Sequence, residues 1–90
     1  MLFKKRRGIK LPYNKQGLIH FICVNYDDMP EHIQTKIRKL CVDVGQEHAK
    51  VLFNVVTDSN KNIRRLAMEY NISDMSLYRY RKKFYESWYE

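Results

Sequence analysis

Glycine, proline and cysteine are scarce in this ninety-residue chain, at 3, 2 and 2 residues. So little Gly and Pro beside 44% hydrophobic residues excludes a low-complexity, disordered chain and points to one compact helical domain. No apolar run approaches the ~18 residues that a membrane span needs. Nothing resembles the apolar region of a secretory signal, so no membrane partner and a cytoplasmic location are expected. Cys23 and Cys41 fall at apolar helical positions, which favours buried free thiols in a reducing compartment over the one disulfide they could form. His20, Cys23, His32, Cys41 and His48 show no tight paired ligand spacing, so no metal is expected. The chain also lacks a Gly-rich phosphate loop, paired carboxylates in a defined frame, and a set of nucleophile, base and orienting group. An enzyme and a cofactor are therefore not expected. Acidic residues are the last shortage, 10 against 17 basic ones, for a net charge of +7. That balance favours a polyanionic partner, nucleic acid before an acidic membrane or protein.

What the sequence does have is helical periodicity almost throughout. Residues 1–12, rich in Lys4, Lys5, Arg6, Arg7 and Lys10, cannot bury much and read as a flexible basic arm. Residues 13–90 read as a single all-α domain, a compact bundle of about five helices. Asn14 is the expected cap of the first helix, with Leu18, Ile19, Ile22 and Tyr26 on its apolar face and Phe21 and Cys23 widening it. A second helix begins around Pro30, whose missing N–H is not needed in a first turn. It buries Ile33, Ile37, Leu40, Cys41 and Val44, and Gly45 stops it. A third, from Gln46 to about Val56, buries Ala49, Leu52, Phe53 and Val56. Asp58 and Asn60 are candidate caps for a fourth helix running to about Tyr70.

The most informative stretch is IRRLAMEYNISDMSLYRYRK, residues 63–82, the heart of a C-terminal helix-turn-helix expected over 61–88. Apolar residues recur where two packed helices meet, and Ala67 is small where they pass closely. Asn71 tolerates the left-handed backbone of a sharp turn. Ser73 caps the second helix, and Asp74 complements its dipole. That helix presents Ser73, Asp74, Met75, Ser76, Tyr78, Arg79 and Lys82, the expected base-contacting set for a major groove. Arg79 suits a guanine edge, Asp74 a cytosine amine and Met75 a thymine methyl. Lys61, Arg64, Arg65, Arg81 and Lys83 are the expected phosphate contacts, and the arm could add Lys4, Lys5, Arg6, Arg7 and Lys10. The aromatic residues near the end exceed what one helix face can bury. They either fold back onto the first helix as core or supply a homodimer contact.

The stretch IRRLAMEYNISDMSLYRYRKKFYE resembles the sigma-factor region-4-like helix-turn-helix regulators carried by phages and integrative mobile elements of Gram-positive bacteria. The resemblance covers about a quarter of the chain. It implies that residues from Ser73 to Lys82 hold the DNA-contacting positions and that Arg64 and Arg65 face phosphates. Asn71 stands where Gly is commonest, and no region 2 is present, so promoter melting is not implied. A sequence-specific, bacterial or phage-encoded transcriptional regulator acting on double-stranded DNA is the expectation. Two alternatives stand beside it. One is a protein–protein module for RNA polymerase, a phage packaging enzyme or a host defence complex, and the other is a small DNA-packaging component.

Overall fold

A computed structural model describes residues 5, 6, 8–58 and 62–90. Helix dominates, and no strand occurs among these residues. The order is α1 (Tyr13–Val24), a 3₁₀ turn (Tyr26–Asp28), α2 (Glu31–Gly45), a second 3₁₀ turn (Gln46–His48), α3 (Ala49–Thr57), α4 (Ile63–Glu69) and α5 (Asp74–Ser87). The Cα radius of gyration is 12.2 Å, matching the about 12 Å of a well-packed chain of this length. No helix is long and apolar enough to cross a membrane among the described residues.

α3 sits at the centre of the bundle, packed against α1, α2, α4 and α5. The main core joins Ile19 and Cys23 of α1, Ile37 and Cys41 of α2, Leu52 and Val56 of α3, and Phe84, Tyr85 and Trp88 at the end of the chain. The C-terminal aromatics therefore divide. Phe84, Tyr85 and Trp88 are core, while Tyr78 and Tyr89 remain exposed. A second, smaller core lies between α3, α4 and α5 and comprises Val51, Ile63, Leu66, Ala67 and Leu77. Tyr80 packs against both cores, and its hydroxyl lies 3.0 Å from His48 Nδ1.

Several local expectations are corrected by the packing. Pro12, not Asn14, precedes α1, and its carbonyl accepts from the N–H groups of Lys15 and Gln16 at 3.1 Å. The buried stripe of α1 is Gln16, Ile19 and Cys23. Leu18 and Phe21 point outward and are exposed. At the end of α2, Gly45 keeps an ordinary right-handed backbone, and it is Gln46 that takes positive φ (49°). Gly45 sits in close packing instead, since a Cβ there would come within 3.3 Å of Leu52 Cδ2. The cap of α4 is Asn62, whose side-chain oxygen accepts from the Arg64 N–H at 2.8 Å. Asp58 lies at the end of α3, and Asn60 lies outside the described residues.

The largest departure is at the basic N-terminal segment, expected as a flexible arm. Residues 1–4 and 7 lie outside the described set, but the rest is packed onto the bundle. Ile9 is buried in the main core. Gln16, fully buried on α1, accepts from the Arg6 N–H at 3.0 Å and donates through Nε2 to the Leu11 carbonyl at 2.9 Å and the Ile9 carbonyl at 3.4 Å. The Lys10 N–H donates to Glu86 Oε2 on α5 at 2.8 Å. Charge density concealed one isoleucine with a core to enter and one glutamine able to satisfy three backbone groups.

Candidate nucleic-acid interface

The link between α4 and α5 is set by its hydrogen bonds. Asn71 adopts φ 53°. The Ile72 N–H donates to the Ala67 carbonyl at 2.9 Å and the Asn71 N–H to the Met68 carbonyl at 3.3 Å. These are the paired bonds of a Schellman ending, and Ile72 packs with Ala67 in the small core as that ending requires. Two residues later Ser73 starts α5, its Oγ accepting from the Ser76 N–H at 3.4 Å. The Asn54 amide donates to the Tyr70 hydroxyl at 3.0 Å, tying the end of α4 to α3.

The outer face of α5 carries Met75, Arg79 and Lys83, all exposed, with Lys82 half-buried beside them. Met75 is 67% exposed, an unusual place for an apolar side chain without a partner. Tyr78 is exposed on the flank of this face, and the Arg81 guanidinium lies over its ring, 5.2 Å from the centroid. Ser73 is exposed at the start of the helix, whereas Asp74 and Ser76 are half-buried. The Asp74 carboxylate is 3.9 Å from Arg64 Nε on α4. That ion pair draws an expected phosphate contact to an expected base contact, across a concavity of about 510 Å³ also lined by Met68 and Asn71. Arg65, equally exposed, pairs with Glu69 one turn along α4 at 3.5 Å.

Arg81 does not share the outer face. It was expected among the phosphate contacts, but it is half-buried beside Ile9 and Tyr78. Burial, reinforced by the positive charge of Arg6, lowers its pKa to about 10. Its Nε is buried with no hydrogen-bond partner among the described residues. The helical phase explains the difference: Arg81 lies four residues after Leu77 and four before Tyr85, both buried, so it rides the inward edge of α5.

Of the N-terminal cations, Lys5 and Lys10 are exposed and Arg6 is half-buried, its guanidinium 5.6 Å from the centre of the Tyr85 ring. Lys4, Arg7 and Lys61 lie outside the described residues. Met68 was missed from sequence although it is 82% exposed. Its signal was available, since it follows Arg64 by four residues and so shares the outer face of α4. His20 was also missed as a neighbour of this surface. Its pKa is pushed below 6.5 by burial, then by the charges of Arg6 and Arg81.

Burial acts on both thiols as well. Burial raises the Cys41 thiol to about 12 and pushes Cys23 higher still, with Cys41 adding to the effect. Both cysteines are free and buried. No group of three or more His, Cys, Asp or Glu side chains is placed to hold a metal ion among the described residues. Compared with protein families, curated proteins and solved structures, the chain matches none of them.

Proposed function

We propose that this protein is a sequence-specific DNA-binding transcriptional regulator of a phage or mobile element. In this reading α4, its turn and α5 act as a helix-turn-helix, with residues 73–88 entering the major groove. The observation that carries it is the Arg64–Asp74 pair, which joins a cation on the outer face of α4 to the start of α5. Exposed Arg79 and Lys83 continue the positive surface along α5. Arg79 and Met75 read base edges, while Arg64, Arg65 and Lys83 neutralise phosphates. Asp74 reaches a cytosine amine only by releasing Arg64. An exposed pair of this kind contributes at most about 1 kcal/mol, so a phosphate can take the arginine and free the carboxylate.

The test is a comparison of two variants on a site selected from random duplexes. Arg79→Ala costs about 1–3 kcal/mol on the selected site and relaxes its sequence there. Lys83→Ala weakens selected and random DNA alike and lowers the salt slope by about 1. Equal losses on both DNAs from both variants would remove Arg79 from base reading.

A protein-contacting module is the second reading, favoured by Met68 and Met75, exposed on the outer faces of α4 and α5. RNA polymerase, a phage packaging enzyme or a host defence complex would then be the kind of partner met. Affinity for DNA that is weak and flat in salt, with Met68→Ser and Met75→Ser abolishing partner binding, would select this reading over the first.

A further inference from the structure

Met75, Tyr78, Arg79 and Lys82 recur along α5 at spacings of three and four, so they share one face of the helix. Between that face and the N-terminal segment lies a pocket of about 220 Å³, lined by these four residues with Ile9 and Arg81. Its lining divides by chemistry. Ile9, Met75 and Tyr78 present apolar surface, Arg79, Arg81 and Lys82 are cations, and no carboxylate lines it. Among the described residues none of the three cations makes an ion pair. The Arg81 guanidinium lies over the Tyr78 ring, and its Nε is buried with no hydrogen-bond partner among those residues. A buried donor without an acceptor is costly, and more so when it is charged. Met75, 67% exposed, poses the opposite problem, apolar surface left in water.

One ligand answers both only if it joins an anionic head to an apolar body. Inorganic phosphate would satisfy the cations and leave Met75 uncovered, and a neutral hydrocarbon would do the reverse. The volume is below the about 300–1,000 Å³ of drug-sized sites, so the ligand is small. A thioether packs well on the edge of an aromatic ring, and a guanidinium matches the two oxygens of a carboxylate. We propose that the pocket between the N-terminal segment and α5 binds a small aromatic carboxylate, its ring against Ile9 and Met75 and its head on Arg81. Arg79 and Lys82 supply the surrounding positive charge. Binding needs no DNA, but its consequence rests on the DNA-binding reading. Met75, Tyr78, Arg79 and Lys82 are also the expected base contacts, so ligand and major groove compete for one face. The carboxylate is then an effector that releases the protein from its site.

The experiment titrates the full chain with sodium benzoate in place of sodium chloride at constant ionic strength, following the Met75 methyl and Arg81 Nε–Hε resonances by NMR. Both shift saturably, while the Met68 methyl and the Arg38 Nε–Hε, outside the pocket lining, stay in place. Acetate, the head alone, and benzyl alcohol, the body alone, each bind about tenfold more weakly or worse. Arg81→Met weakens benzoate about tenfold or more for the same reason. Met75→Asp, at an exposed position, repels the carboxylate and serves should Arg81→Met not fold. Acetate as tight as benzoate, an equal drift of all arginine resonances, or benzoate affinity unchanged in either folded variant would overturn the pocket. Competition is read on a duplex selected from a random pool, whose affinity falls about tenfold when benzoate stands at ten times its Kd. An unchanged affinity while benzoate fills the pocket would overturn the effector role and leave the ligand site. A chain that takes benzoate but binds no duplex would remove the DNA-binding reading instead.

Discussion

Among the described residues two adopt positive φ without being glycine, and they do so for different reasons. Asn71, at φ 53°, has a short amide side chain that tolerates the left-handed region, and the turn around it is closed by two hydrogen bonds. Gln46, at φ 49° and ψ −114°, has neither advantage. Its conformation is one glycine adopts freely, and glycine is present one residue too early, at Gly45, where it packs closely on Leu52. The strain at such a residue is about 1–3 kcal/mol, from which the extra unfolded-state entropy of a glycine subtracts about 0.4–1 kcal/mol. Gln46→Gly therefore stabilises the fold by about 1 kcal/mol, raising the melting temperature by roughly 4–8 °C. Asn71→Gly gains only a few tenths of that by the same reasoning. Chemical denaturation of the two variants beside the parent checks the order, and a loss of stability in Gln46→Gly would show that its side chain holds the turn. The sequence announced Asn71 because asparagine has a known reason to sit at a turn. It concealed Gln46, because a glycine next door accounts for the same helix end.

Among the elements, the N-terminal segment is the one whose state depends on a few named contacts. Ile9 supplies the apolar anchor, and Gln16 satisfies the Arg6 N–H and the carbonyls of Ile9 and Leu11. Gln16→Leu keeps the volume but strands the Arg6 N–H and the Leu11 carbonyl, a cost of about 1–3 kcal/mol that the segment avoids by leaving the bundle for water. In ¹⁵N relaxation the order parameters of residues 8–11 should then fall below about 0.6, while α2 and α3 stay near about 0.85. Order parameters unchanged by the substitution would mean that Ile9 and the Lys10–Glu86 hydrogen bond hold the segment without Gln16. Helix positions were largely legible from sequence because they follow periodicity and caps: Ile37, Cys41, Leu52, Val56, Leu77 and Phe84 are all buried as their spacing requires. The facing of α1 was not legible. Leu18 and Phe21 are more apolar than Gln16, but Gln16 is the residue on the inward side, and only its tertiary partners reveal why. For the same reason the cations of α5 could be located in sequence but not sorted. Arg79 and Arg81 are two residues apart, and the core decides which meets solvent.

At the scale of the whole molecule, burial of titratable groups sets the pH range in which the fold is most stable. On the acid side the group is His20, held below its ordinary 6.5 by burial and by Arg6 and Arg81. The unfolded chain takes up its proton as pH falls through 6.5, but the folded chain resists until lower pH. The unfolded state then binds more protons, and stability declines as pH drops. On the alkaline side the sign reverses. Unfolded thiols ionise above 9.0, whereas the Cys41 thiol stays neutral to about 12 in the fold and Cys23 is raised further. There the folded state binds more protons, and stability declines as pH rises. Tyr85, raised by burial from 10.0, extends that decline. Urea denaturation from pH 5 to pH 11 should therefore trace a plateau bounded near pH 6.5 and 9.0 by these groups. His20→Gln flattens the acid limb and leaves the alkaline one. Cys41→Val leaves the acid limb and makes the alkaline one shallower without abolishing it, since Cys23 and Tyr85 still ionise there. An acid limb as steep in His20→Gln as in the parent would assign it to carboxylates instead and separate His20 from the Arg6–Arg81 charge cluster.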